Sequence, residues 1–111
     1  MKTSKWFLAA MLLMGAMTAM AQVKTGIEVL RERNFDVLQG KRVGLCTNPT
    51  GVDRNLVSTI DILHDAENVN LVALYGPEHG VRGNVYAGDH VDNEVDLRTG
   101  LKMYSLYGKT A

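Results

Sequence analysis

Two short apolar runs, separated by a segment with helical periodicity, constrain the fold of this chain more than any other feature. Residues 43–46 and 71–75 form the runs, and turn-favouring residues follow each at once. The first run is predicted to be a strand, and the second, with five apolar residues in succession, is typical of a strand buried on both faces of a parallel sheet. Between the runs, Leu56, Ile60 and Leu63 recur at helical spacing. The pattern predicts a βαβ unit and an α/β fold.

Capping signals predict where the helices begin and end. Thr25 and Glu28 form a capping-box pattern, and Gly40 is a suitable stop for the helix that follows. The expected buried face of that helix consists of Ile27, Leu30 and Leu38. Asp53 or Asn55 is the expected N-cap of the second helix.

The predicted topology brings the loops after the strands to one edge of the sheet. Both strands of a βαβ unit run in the same direction, so residues 47–51 and 76–80 should lie together at the carboxyl edge. Open α/β sheets bind their ligands there. A third parallel strand, expected over residues 101–106, would add residues 107–110 to the same edge. Because three strands leave open sheet edges, we expect more sequence to follow, and we expect this piece alone to be poorly stable and inactive.

The first 21 residues read as a secretory signal peptide. Lys2 and Lys5 precede an apolar stretch of 16 residues, 6–21, and Ala19 and Ala21 give the small-x-small cleavage pattern. A membrane-spanning helix needs about 20 apolar residues, so an uncleaved anchor is the less favoured alternative. We expect cleavage after Ala21, a periplasmic or secreted protein, and no stable membrane insertion.

The charge and cysteine content exclude several classes. Removal of the leader leaves ten basic and twelve acidic side chains with no basic stripe, which argues against a nucleic-acid partner. Cys46 is the only cysteine, so it forms no disulfide within this chain. Its apolar surroundings predict a small buried hydrophobe rather than a nucleophile.

The segment Gly-Pro-Glu-His-Gly, residues 76–80, carries the most pointed chemistry in the chain. Its glycines and proline constrain the backbone that presents Glu78 and His79. A partly desolvated carboxyl group at a sheet edge suits a general acid. From residue chemistry alone, a solvated glutamate in an ordinary turn is the simpler interpretation.

Metal and cofactor sites find little support. His64, His79 and His90 lack the close spacing of zinc ligands. The acidic stretch that contains Asp89, Asp92, Glu94 and Asp96 is expected to be a solvated loop, although one member is a candidate second carboxylate of a hydrolase. Neither a phosphate-binding loop nor a dinucleotide fingerprint is complete, so we expect no cofactor.

Several segments together match one known family. They are KRVGLCTNPTG at residues 41–51, STIDILH at 58–64, LVALYGPEHGVRG at 71–83, DLRTGL at 96–101 and YSLYGKT at 104–110. The chain resembles the bacterial exo-β-N-acetylmuramidases, which are also called domain-of-unknown-function family 1343 and glycoside hydrolase family 171. The paired TNPTG and GPEHG motifs at this spacing are specific to that family.

The resemblance implies a Rossmann-like N-terminal catalytic domain, followed by a second domain, with the active site in the cleft between them. Residues 22–111 would be the first part of that catalytic domain. Members remove terminal N-acetylmuramic acid from the non-reducing ends of peptidoglycan fragments in cell-wall turnover, so the implied partner is a peptidoglycan-derived sugar or muropeptide. Glu78 matches the glutamate thought to be the catalytic acid, and His79 is its neighbour in the motif.

The substrate class suggests further site residues. The lactyl carboxylate of muramic acid suits Arg82 or Arg98 as a bidentate partner. Asn48 and Thr50 are candidates for hydrogen bonds to sugar hydroxyls. Two alternatives stay open: a non-catalytic protein that binds muropeptides or sugars, and a metal-dependent hydrolase that uses His79 and His90.

Overall fold

A computed structural model describes residues 5–6, 8–9, 22–77, 79–83 and 94–107 of the chain. The elements are, in order, helix α1 (Gly26–Glu32), a 3-10 turn (Asp36–Leu38), strand β1 (Arg42–Cys46), helix α2 (Thr59–Asp65) and strands β2 (Asn70–Gly76), β3 (Glu94–Val95) and β4 (Lys102–Ser105). The predicted α/β class is confirmed.

The described strands form a mostly parallel sheet in the order β1-β2-β4-β3. β1 and β4 both run parallel to β2, so the predicted βαβ unit and third parallel strand are confirmed. β3 pairs with β4 in the antiparallel direction and was not expected. Its two residues, Glu94 and Val95, are exposed and too few to show any periodicity.

The core lies on one face of the sheet, where α2 packs against β2. Ile60 and Leu74 are completely buried, and burial of such a side chain stabilises the fold by roughly 1.5–3 kcal/mol. The cluster consists of Phe35, Ile60, Ile62, Leu63, Val69, Leu71, Leu74 and Val81. Val81 belongs to the loop that follows β2, so that loop is packed into the core.

Helix α1 begins as predicted but ends early. The backbone N–H of Thr25 donates to Glu28 Oε2 at 2.7 Å, which confirms the capping box. The helix ends at Glu32 rather than Gly40, because Asn34 and Phe35 adopt left-handed backbone angles that a helix cannot continue. Leu38 still packs against the core, but from the 3-10 turn.

The predicted start of the second helix was wrong. Ser58 is the N-cap of α2, and its Oγ accepts from the Ile60 N–H at 3.3 Å. Leu56 has a φ of 61° and is 80% exposed, so it does not share a face with Ile60. The Asp53 carboxylate instead accepts the backbone N–H groups of Asn55 and Val57, which closes a turn before the helix.

The second face of the sheet carries a pair of stacked rings. Tyr75 and Tyr104 are paired in register, with ring centroids 5.3 Å apart. Gly44 makes room for them, since a Cβ there would lie 3.0 Å from Tyr75 Cε2. Cys46 is the register partner of Tyr75 on this face and is exposed, so the prediction of a buried thiol was wrong. Edge position and alternation of side chains explain the difference.

Of residues 1–21, only Lys5, Trp6, Leu8 and Ala9 are described, and their backbone is helical. The predicted cleavage point after Ala21 lies outside the described residues. Among the described helices, none has the length and apolar character needed to cross a membrane.

Candidate active site at the carboxyl edge

The first edge loop, residues 47–51, follows β1 and is held by its own side chains. Asn48 Oδ1 accepts from the backbone N–H of Thr50 at 3.2 Å and from Thr50 Oγ1 at 2.8 Å. The N–H of Gly51 donates to the carbonyl of Asn48 at 3.0 Å. Such a turn needs no distant partner. Asn48 and Thr50 are both exposed, so their side chains are accessible to a ligand at this edge.

The second edge loop, residues 76–83, follows β2 and is fixed at both ends. The carbonyl of Gly76 accepts the Leu106 N–H at 2.9 Å, which ties the start of the loop to the end of β4. The N–H of Gly80 donates to the carbonyl of Pro77 at 2.9 Å, and Gly80 adopts a φ of 73° that favours glycine. Beyond this turn, the buried side chain of Val81 anchors the loop in the core.

The two loops meet at the carboxyl edge, as the topology predicts. The N–H of Thr47 donates to the carbonyl of Tyr75 at 3.0 Å. Gly83 has a φ of 78°, and a Cβ there would lie 2.9 Å from Cγ of Pro49. The close approach of the loops therefore depends on the absence of a side chain at Gly83.

The predicted catalytic pair is described in part. Glu78 lies outside the described residues, between Pro77 and His79 in the sequence. His79 is exposed in the turn that Gly80 closes. Residues 108–110, which were expected at the same edge, also lie outside the described part of the chain. The catalytic roles of Glu78 and His79 stay predictions.

Arg82 has two carboxylate partners within the chain. Its Nε and Nη2 donate to Asp96 at 2.7 and 2.9 Å. Its Nη2 and Nη1 donate to Asp61 at 2.8 and 3.3 Å. The expected binding of a substrate carboxylate by Arg82 stays a prediction, and it would require displacement of one of these partners.

Arg82, Asp61 and Asp96 stabilise one another's charged forms. Asp96 was expected in a solvated loop, but its side chain is only 4% exposed and also accepts from Thr99 Oγ1 at 2.6 Å. Hydrogen bonds from Arg82 hold the pKa of Asp96 down at about 2, although burial opposes this. They also lower the pKa of Asp61, and the two carboxylates in turn raise the pKa of Arg82. All three groups are therefore charged at neutral pH.

Arg98 and Asp61 complete the cluster. Arg98 forms an ion pair with Asp61, but its side chain is 59% exposed, so its predicted role in substrate binding stays compatible with its position. Sequence reasoning missed Asp61. The available signal was a charged residue inside the buried run of α2, between Ile60 and Ile62. A buried charge requires a partner, which is here Arg82.

Among the described residues, the structure shows no set of metal ligands that would support the metal-dependent alternative. Within residues 22–77, 79–83 and 94–107, no three His, Cys, Asp or Glu side chains are placed to hold a metal ion. His64 is exposed on α2, with Nδ1 3.3 Å from Asp65 Oδ1. His90, Asp89 and Asp92 lie outside the described residues.

A cavity of about 430 Å³ opens beside the first edge loop. It lies between this loop and the start of α1, and its lining includes Cys46, Thr47, Thr50 and Gly51. Pockets for small ligands are commonly about 300–1,000 Å³. The space is therefore sufficient for a small polar group, such as part of a sugar.

These features define an open α/β domain in which the loops after β1 and β2 meet at the carboxyl edge, the edge at which open α/β sheets bind their ligands. A family model described as exo-beta-N-acetylmuramidase NamZ, N-terminal, matches residues 43–111. The chain belongs to this family, and the resemblance inferred from its motifs is confirmed.

Two known proteins are similar to the chain. The peptidoglycan beta-N-acetylmuramidase NamZ of Bacillus subtilis is 43% identical over 122 residues, which cover 98% of this chain and 30% of that protein. A crystal structure of a DUF1343 family protein from Bacteroides fragilis is 71% identical, with a TM-score of 0.69, and the match covers 78% of this chain and 21% of that one. The chain thus spans less than a third of the length of either relative.

Proposed function

We propose that the full-length protein is an exo-acting glycoside hydrolase that releases terminal N-acetylmuramic acid from peptidoglycan fragments during cell-wall turnover. Residues 22–111 are then the first part of its Rossmann-like catalytic domain. The observation that carries the proposal is the close approach of the second edge loop to the first, where Gly83 meets Pro49. Membership of the family and the named activity of the Bacillus subtilis relative support it.

Glycosidic cleavage needs a proton on the leaving oxygen and stabilisation of an oxocarbenium-like centre. We assign the proton to the carboxyl group of Glu78 and a supporting role in proton transfer to His79. As the proton moves to the glycosidic oxygen, the bond from this oxygen to the anomeric carbon breaks and the remaining fragment leaves as an alcohol. Because the substrate carries an acetamido group next to the anomeric carbon, substrate assistance could replace a protein nucleophile, and water supplies the hydroxyl group of the released sugar.

Substrate binding is assigned to exposed polar groups at the same edge. Asn48 and Thr50 present an amide and a hydroxyl to sugar hydroxyl groups. Of the two candidate arginines for the lactyl carboxylate, Arg98 has the more exposed side chain, 59% against 27% for Arg82, although it also pairs with Asp61 and Asp65.

The test is turnover by the full-length protein with muropeptide fragments, measured as free N-acetylmuramic acid. Glu78→Gln keeps the shape and removes the transferable proton, so the rate should fall by about 10²- to 10⁴-fold with substrate affinity retained. Glu67→Gln, at an exposed position in the turn after α2, is the matched control and should be fully active.

Other outcomes favour the alternatives. Binding of muropeptides by the unaltered protein without release of sugar would favour a binding protein. Loss of activity in the presence of a chelator, with recovery when metal is restored, would favour a metal-dependent hydrolase.

We infer that the protein acts in the periplasm or outside the cell. The support is the basic and apolar pattern of residues 1–21 with Ala19 and Ala21 before the cleavage point. N-terminal sequencing of the exported protein should give Gln22 as the first residue. An intact Met1 in the cytoplasmic fraction would contradict the inference.

A further inference from the structure

We propose that Arg82 is a positioning residue, which fixes the second edge loop against α2 and the start of β4 and thereby sets the position of Glu78. Together with Asp61 and Asp96 it forms what we call the arginine clamp. The proposal rests on the assigned role of Glu78, but the clamp itself is defined by the contacts among Arg82, Asp61 and Asp96.

The arginine clamp joins three parts of the chain that are distant in sequence. Asp61 lies in the first turn of α2, 21 residues before Arg82. Asp96 lies between β3 and β4, 14 residues after Arg82. One guanidinium therefore links the loop to an element on each side of it.

The geometry uses the shape of arginine. A guanidinium carries five N–H donors in a fixed plane, and here four of them are used, two toward each carboxylate. Both N–H groups of Nη2 are used, one for Asp61 and one for Asp96. A lysine at this position keeps the charge but cannot form this double fork.

Burial of the three side chains strengthens the ion pairs that orient Arg82. The side chains of Arg82, Asp61 and Asp96 are only 27%, 10% and 4% exposed. Ion pairs withdrawn from water are screened less than surface pairs, and each group depends on its partners. The direction of Arg82 is thus fixed from two sides.

The arginine clamp restricts the second edge loop because it holds one end of a short segment, residues 76–82, whose other end is also fixed. Gly76 is tied to Leu106 at the start, while Val81 and Arg82 are fixed at the end. Among the described loop residues, the hydrogen bond between Gly80 and Pro77 spans the interior. A displacement of about 1 Å in a catalytic group can reduce a rate by about 10²-fold, so a loosened anchor should reduce turnover.

The competing role for Arg82 is direct binding of a substrate carboxylate. The two roles predict different kinetics. A positioning residue changes kcat with little change in KM, whereas a ligand that holds the substrate raises KM. A purely electrostatic effect on Glu78 is a third alternative, and it predicts a change in the two carboxylate variants but none in Arg82→Lys, which keeps the positive charge.

The experiment compares full-length Arg82→Lys, Asp96→Asn and Asp61→Asn with a control, Arg31→Ala. Arg31 also pairs with a buried carboxylate, Asp53, at 3.1 Å, but lies on α1 away from the second edge loop. We expect the three clamp variants to lower kcat by about 10- to 100-fold, with KM changed by less than about threefold. Arg31→Ala should leave kcat unchanged. The two carboxylate variants and Arg82→Lys should therefore all lower kcat.

Two further measurements separate the clamp from the role of Glu78. When Glu78→Gln is already present, adding Arg82→Lys should lower kcat by less than about a further twofold, because both substitutions affect the same catalytic step. Amide hydrogen exchange in residues 76–83 should become at least about tenfold faster in Arg82→Lys, while residues 47–51 keep their wild-type rates. The exchange result judges the clamp even if Glu78 is not the proton donor. Unchanged exchange, or a raised KM with normal kcat, would overturn the proposal.

Discussion

The two loops at the carboxyl edge are held in opposite ways. The first is held locally, because Asn48 accepts from Thr50 and the Gly51 N–H closes the same turn. The second depends on partners up to 21 residues away, through the two carboxylates of the arginine clamp. The difference implies that the turn of the first loop is determined mainly by its own residues, whereas the position of the second loop requires the folded domain.

The largest effect on stability is expected from removal of the guanidinium at Arg82. Arg82→Met leaves Asp61 and Asp96 buried without their shared cation, which should cost about 3 kcal/mol of the free energy of unfolding. Urea denaturation of the full-length protein measures it. Arg33→Met breaks an exposed pair with Asp36 and should cost less than about 1 kcal/mol. Equal costs for the two variants would remove the contrast between buried and exposed anchors.

Contact between the loops can be probed at Gly83. Gly83→Ala combines a left-handed backbone with a Cβ 2.9 Å from the Pro49 ring, so it should destabilise the protein by about 2–3 kcal/mol. Gly100 has a similar φ of 74° with open space around it. Gly100→Ala should therefore cost only the backbone strain of about 1–2 kcal/mol. Thermal unfolding of both variants measures the difference, and equal values would show that the loops are not in contact.

Acid should weaken the second loop before the first. The pKa of Asp96 is lowered to about 2 in the folded protein, below its ordinary value of 3.8. A carboxyl group with a lowered pKa stabilises the fold above its unfolded pKa, and this contribution is lost as the pH falls from about 5 toward 2. Asp96→Asn should show a shallower loss of stability over that range. An identical pH dependence for wild type and variant would mean that Asp96 is not linked to folding.

The smallest effect is expected at the first edge loop. Asn48→Ala removes a side chain that accepts two exposed hydrogen bonds, so it should cost about 1 kcal/mol or less in stability. If Asn48 binds a sugar hydroxyl, the same change should raise KM and leave kcat nearly unchanged. Steady-state kinetics of the full-length protein check this, with Thr50→Val as the second variant of the pair.

The features that could be predicted from the sequence are those that depend on neighbouring residues. The apolar runs gave the parallel strands, and the capping box at Thr25 gave the start of α1. The end of α1 was missed because Gly40 was the stronger stop signal, although asparagine also favours left-handed backbone; Phe35 gives no such signal. Leu56 fitted the helical period by chance of spacing, although the turn made by Asp53 excludes it from α2.

The features that could not be predicted are long-range. The contacts of Arg82 with Asp61 and Asp96 could not be predicted, because these residues are apart in sequence and meet only when the sheet forms. Cys46 was expected inside because its run is apolar, but exposure of a strand end depends on the face it occupies and on the neighbouring strands. The edge itself was predictable, since the direction of parallel strands fixes which loops share it.

The assignment of the second edge loop as the source of the proton has its most direct test in the dependence of the rate on the leaving group. The full-length Glu78→Gln variant is compared with wild type on an unactivated muropeptide and on an N-acetylmuramic acid glycoside with an activated aryl leaving group. An activated leaving group needs little protonation. We predict a loss of about 10²- to 10⁴-fold on the muropeptide and about tenfold or less on the aryl glycoside. Equal losses on both substrates, or normal turnover of the muropeptide, would contradict the assignment of Glu78 as the general acid.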